Sequence, residues 1–212
     1  PVWIPDDVEG TCCGVPFSSK GYGEASAFTV NRTSERFWEW SDGGRLPVVV
    51  DTSPCTHGLK TSRPQLTPAN QAKYDDLKIL DGVEFTHDTL LPRLAATRKA
   101  RSVALHPVCS LTKMNLEAKL EGIARFCSDE VVVPLSAGCC AFAGDRGFLH
   151  PELTASATRL EAAEVKAKGC DDHLSSSRTC EIGMTRATGE VYRSYVFLLE
   201  RVTREGPGPF RA

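Results

Sequence analysis

The chain has 212 residues, 41% hydrophobic and 25% charged, enough for one large domain or two small lobes with a real core. Its formal net charge is -2, acids and bases are mixed along it, and it has no basic tract, so nucleic acid is not expected as a partner. No leader-like segment or long apolar run occurs, and no membrane span is expected.

Short β-branched runs alternate with helical stretches, the pattern of an α/β fold with mostly parallel strands. In chain order the strands are expected at Val2–Pro5, Pro47–Asp51, Ser102–His106, Glu130–Leu135 and His173–Ser176. Helices are expected near Glu24–Trp40, Leu111–Cys127, Pro151–Lys168 and Ser194–Arg204. Leu116, Leu120, Ile123, Ala124 and Cys127 form one apolar helical stripe. Leu153, Ala157, Leu160, Ala163 and Ala167 form a second, opened by Pro151 and closed by Gly169. The Pro-rich stretch Thr61–Asn70 reads as a loop, and the tail Gly206–Ala212 is expected to fray.

The two halves repeat one another. Val2-Trp3-Ile4-Pro5 leading to Cys12-Cys13-Gly14 parallels Val131-Val132-Val133-Pro134 leading to Cys139-Cys140-Ala141. Val48-Val49-Val50 leading to Cys55-Thr56-His57-Gly58 parallels the segment leading to Cys180-Glu181-Ile182-Gly183. Each repeat closes on a leucine-paired helix, His87–Leu94 and Tyr195–Val202. The expectation is two similar, pseudo-symmetric lobes, residues 1–98 and 99–212, each a small parallel sheet flanked by helices. Cys109 precedes the second pair, and its counterpart would fall before Pro1, so the first site is expected to lack one ligand by truncation.

Nine cysteines is an odd number, and no Cys-x-x-Cys occurs, which fits neither a closed disulfide framework nor an ordinary zinc ribbon. A four-iron cluster needs soft thiolates converging from several loops. Cys109, Cys139, Cys140 and Cys180 supply four from the carboxyl ends of three strands, where open α/β sheets gather ligands. A vicinal pair shares a cluster only from an irregular turn, which Gly14 and Gly138 permit. Cys12, Cys13 and Cys55 form the incomplete first set, and the Cys-x-x-Gly segments read as turns. His106 and His57 are placed around the ligands, orienting them or, for His57, replacing a missing thiolate. Cys127 and Cys170 read as structural. Buried packing, a Cys₄ zinc site and vicinal disulfides stand as alternative uses of these thiols.

The order Cys, then Cys-Cys-Gly, then Cys-x-x-Cys resembles the CCG cysteine-rich domain, which occurs as a tandem pair. The stretches Ala137–Thr154 and Ser177–Gly183 look most like the C-terminal part of FAD-linked D-lactate dehydrogenases and glycolate oxidase iron–sulfur proteins. The resemblance implies a 4Fe-4S cluster on Cys109, Cys139, Cys140 and Cys180, with iron–sulfur or zinc on Cys12, Cys13 and Cys55. It further implies FAD in a preceding dehydrogenase region of the same polypeptide and electron transfer from a 2-hydroxy acid to a quinone or cytochrome. The expected place is the cytoplasm, with a peripheral position at the inner face of the membrane as an option. Gly58 and Gly183 stand where the family has its last cysteine, which favours four ligands over five. A heterodisulfide reductase-like module and a zinc-stabilised interaction module are the alternatives.

Overall fold

Parallel pairing of short strands organises the protein in this computed structural model, which describes residues 2–204. The architecture is α/β, with two parallel sheets flanked by helices. Two compact units divide between Gly82 and Val83.

In the first unit, α1 (Val15–Ser18) and α2 (Gly23–Trp40) lead to β1 (Val48–Val50). Then follow α3 (Ser53–Lys60), a 3-10 turn at Arg63–Gln65, α4 (Pro68–Asp76) and β2 (Ile79–Asp81). β1 and β2 pair in parallel, Val48 opposite Ile79. Cys13, Phe37, Leu59 and Ile79 form the buried core, with Val15, Val48, Val50 and Cys55 packed against it. The expected strand Val2–Pro5 is not formed: the segment is coil, and Val2, Trp3 and Ile4 are 77%, 63% and 70% exposed. Its β-branched composition finds no neighbouring strand among the described residues, and propensity alone does not hold an extended segment. The Thr61–Asn70 stretch also departs from a plain loop. Pro68 occupies the first turn of α4, and Thr67 caps it by accepting from the Asn70 amide at 3.3 Å.

α5 (Gly82–Phe85), a π turn at Thr86–Leu90 and a 3-10 turn at Leu91–Arg93 precede β3 (Ala100–Leu105). Val83 and Leu91 already belong to the second unit's core, so the packing boundary precedes the repeat boundary near residue 98. The chain continues through α6 (Cys109–Met114), α7 (Glu117–Cys127) and β4 (Ser128–Val132). It ends with α8 (Arg146–Leu149), α9 (Pro151–Lys168), β5 (Asp172–Ser175), α10 (Arg178–Thr188), β6 (Tyr192–Ser194) and α11 (Tyr195–Thr203). The sheet order is β4-β3-β5-β6, all parallel, with Val103 between Val131 and Asp172. The expected pseudo-symmetric lobes are not shown, since the sheets hold two and four strands among the described residues. The tail Gly206–Ala212 lies outside those residues.

Two helices differ from expectation in instructive ways. Leu111–Cys127 is broken, because Asn115 adopts the left-handed conformation (φ 57°) and ends α6. The stripe of α7 is as read, with Leu116, Leu120, Ile123, Ala124 and Cys127 all buried. The stripe of α9 is not: Leu153 and Leu160 are 43% and 55% exposed, while Thr154, Thr158, Glu161 and Val165 face inward. Two of the polar side chains on the buried face have partners: Thr158 donates to the Thr154 carbonyl at 2.7 Å, and Glu161 bonds to His106.

Candidate metal centre

Three neighbouring strands deliver the second set of thiols. β3 ends at Leu105, and His106 continues its ladder by donating its amide to the Leu174 carbonyl at 2.9 Å. Cys109 follows as the first residue of α6. β4 leads through an irregular segment to Cys139 and Cys140, and β5 leads to Cys180 in the first turn of α10. The chain leaves β3 towards β4 on one side and returns as β5 on the other. That reversal is the switch point at which open parallel sheets collect ligands. Cys55 and Cys180, expected in turns, both lie in helices, α3 and α10.

The sulfurs meet in two pairs. Cys140 Sγ is 3.2 Å from Cys180 Sγ, and both residues are buried. Cys109 and Cys139 are hydrogen-bonded to each other and exposed. The Cys180 thiol holds the proton of its pair and lowers Cys140 to about 5; burial opposes this, and His106 and the Phe142 amide support it. Cys109 acts likewise on Cys139, which falls to about 6. The donors, Cys180 and Cys109, are pushed upward by the same bonds and by desolvation. Charge on Cys140, Cys109 and Cys139 adds to the upward push on Cys180.

A ring nitrogen of His106 and the sulfurs of Cys140 and Cys180 lie within 4.8 Å of one another. His106 Nδ1 is 2.7 Å from Glu161 Oε1, and the two side chains are 0% and 2% exposed. His106 Nε2 is buried without a well-directed hydrogen bond, though the Cys140 sulfur acts on the ring's charge. Burial opposes that charge, but Cys140 and Glu161 outweigh it and raise His106 to about 9. Nothing in the apolar pattern of α9 singles out Glu161, which lies about 100° around the helix from Leu160. A usable signal was there: Thr154, Thr158, Glu161 and Val165 recur at helical spacing.

The loop carrying the vicinal pair is fixed from several directions. Glu164 accepts from the amides of Leu135 and Ser136 at 2.7 and 3.1 Å. Phe142 is fully buried, meets Phe148 edge-on at 4.8 Å and receives the Gly147 amide on its carbonyl at 2.8 Å. Ala141 and Ala143 have φ of 54° and 44°, a left-handed conformation uncommon for residues other than glycine. The irregular turn therefore rests on these alanines rather than on Gly138.

In the first unit, Cys13 Sγ is 3.0 Å from Cys55 Sγ, and the Cys12 thiol is hydrogen-bonded to Cys13. The Cys55 thiol lowers Cys13 to about 6 against burial, with help from the Val15 amide. Gly14 follows with φ 78°, as Ala141 follows Cys140. His57 is on α3 two residues after Cys55, about 200° away around the helix axis, so the two side chains do not face one another.

The space for a fifth ligand is taken in the first unit and tight in the second. A Cβ on Gly58 would stand 2.1 Å from Val15 Cγ2. One on Gly183 would meet Thr154 Cγ2 at 3.3 Å, Phe142 Cδ2 at 3.4 Å and Cys140 Cβ at 3.6 Å. Val15 and Phe142 are each the second residue after a vicinal pair.

The donor set fits a soft metal. Thiols sharing protons in close pairs are groups whose protons such a cation displaces, and the buried imidazole nitrogen beside them has, among the described residues, no partner but the Cys140 sulfur. Cys127 is 1% exposed on α7, and burial raises it to about 12, consistent with packing. Cys170 follows the left-handed Gly169 that ends α9 and is raised by burial. No helix among the described residues is long and apolar enough to cross a membrane. No protein-family model matches the chain, and no curated protein matches it.

Proposed function

We propose that the second unit is an electron-transfer module holding a 4Fe-4S cluster on Cys109, Cys139, Cys140 and Cys180. The observation that supports it is two close thiol pairs, Cys140 with Cys180 and Cys109 with Cys139, carried on the loops that follow three neighbouring strands. Bound there, a cluster supplies one-electron storage. The residues of this chain do the rest. Phe142 and His106 close the inner pair from water, whereas Cys109 and Cys139 form the solvent edge that a partner reaches. The resemblance at Ala137–Thr154 supports a setting in a flavin-dependent D-lactate or glycolate dehydrogenase. FAD in another region of the polypeptide delivers electrons, and a quinone or cytochrome receives them. The first unit offers three thiols, Cys12, Cys13 and Cys55, to iron–sulfur or zinc. Val15 and Phe142 count against a five-thiolate centre and so against heterodisulfide reduction.

The test is iron and acid-labile sulfide in anaerobically prepared protein, with Cys180→Ser and Cys55→Ser prepared beside it. The expected result is iron and sulfide that fall with Cys180→Ser, with visible absorption bleached by dithionite. Zinc without iron in the wild-type chain would discard the electron-transfer reading and leave a zinc-stabilised interaction module.

A further inference from the structure

The geometry points to His106 as a direct ligand of the second unit's metal through Nε2, with Glu161 as its positioning residue. The inference rests on reading these thiols as a metal centre, but not on which metal they hold; in a four-iron cluster His106 would take the place of one of the four thiolates.

Three observations carry it. First, the imidazole shares with Cys140 and Cys180 a space in which all three donor atoms lie within 4.8 Å. Second, Nδ1 is committed to Glu161 at 2.7 Å, so Nε2 is the nitrogen left for the thiols, and it makes no well-directed hydrogen bond. In the metal-free protein the neighbour of this buried nitrogen among the described residues is the Cys140 sulfur, a poor hydrogen-bond partner, and leaving it so is costly. Third, a buried carboxylate on the far nitrogen is the usual support of a metal-bound histidine, fixing its tautomer and raising its basicity. The fold supplies that support deliberately, turning Glu161 inward on α9 while Leu160 beside it is 55% exposed. Imidazole and thiolate together suit zinc or iron, and imidazole in place of thiolate raises the potential of an iron–sulfur centre.

The experiment uses the whole chain, reduced and metal-free, with histidine labelled in turn with ¹⁴N and ¹⁵N. One sample is loaded with Co²⁺ alone, another with ferrous iron and sulfide, and pulsed electron paramagnetic resonance reads nitrogen coupling at the metal. Expected is a strong coupling that changes with the isotope and is absent in His106→Ala. Glu161→Gln should keep the coupling and weaken Co²⁺ binding about 10–100-fold. His106→Cys should recover much of the affinity with an all-sulfur shell, which a merely structural role would not produce.

A sulfur-only shell in the wild-type protein, or unchanged affinity in His106→Ala, would overturn the inference. An all-thiolate iron–sulfur cluster would overturn it while leaving the proposed function standing. A mononuclear nitrogen-bound ion without a cluster would do the reverse. No metal in either sample would remove both.

Discussion

His106 Nδ1 lies 2.7 Å from Glu161 Oε1, in a place where neither side chain meets solvent. Removing one partner strands the other's polarity in the interior. His106→Ala is expected to destabilise the metal-free protein by about 3–5 kcal/mol, and Glu161→Gln by about 1–3 kcal/mol. The double replacement His106→Leu/Glu161→Leu should recover most of the loss, since no buried charge remains. Urea denaturation of the three variants reads all of this.

The thiol pairs impose a pH dependence on the metal-free protein. Cys140 and Cys139 are lowered in the fold from 9.0 to about 5 and about 6. Their contribution is complete above about pH 9 and disappears as pH falls through those folded values. His106, raised from 6.5 to about 9, contributes in the opposite sense, fully below 6.5 and lost through 9. Two thiolates outweigh one imidazolium, so net stability should rise from about pH 5 to 9. Above that it should fall, because Cys109 and Cys180 keep protons that the unfolded chain releases. Denaturation midpoints across pH, under reducing conditions, measure the curve. Alkylation of exposed Cys139 should be half-maximal near pH 6. A half-point above pH 8 would contradict the pairing with Cys109.

Ala141 sits in a left-handed conformation that glycine adopts without steric penalty. Ala141→Gly should therefore stabilise the fold by about 0.5–1 kcal/mol, measured by denaturant midpoint. Gly14 already supplies this chemistry in the first unit.

Gly58→Ala should cost about 1–3 kcal/mol, because its Cβ would stand 2.1 Å from Val15 Cγ2. Adding Val15→Ala removes the obstructing methyl and should restore most of the stability. Differential scanning calorimetry of the single and double variants decides it.

The orientation of α9 is tested from both faces. Leu160→Lys should change stability by less than about 0.5 kcal/mol, since the side chain is already in water. Thr158→Lys should lose more than about 2 kcal/mol by burying a charge without a partner. Thermal melting of both gives the contrast.

What the sequence disclosed, and what it hid, follows from how each residue finds its partners. The α7 stripe was legible because Leu120, Ile123 and Cys127 bury by hydrophobicity alone. Neither β2 nor β6 was expected: at three residues each, they are held by pairing rather than by composition. Cys55 and Cys180 looked like turn residues because Gly58 and Gly183 follow them. Both glycines are in helices, where they make room for Val15 and Phe142. The thiols of the second set come together as two pairs, and their spacing in the sequence reflects the strand-end loops that carry them. Glu161 was concealed because its inward turn depends on a histidine 55 positions away.

The unequal exposure of the four thiols gives oxidative damage a direction. Peroxide or oxygen meets Cys109 and Cys139 first, while Cys140 and Cys180 lie behind them. Corrosion of a bound centre would begin at that outer rim. The inner cysteines and His106 would be left as a three-donor remnant, able to keep a single ion after the rest has dissolved away.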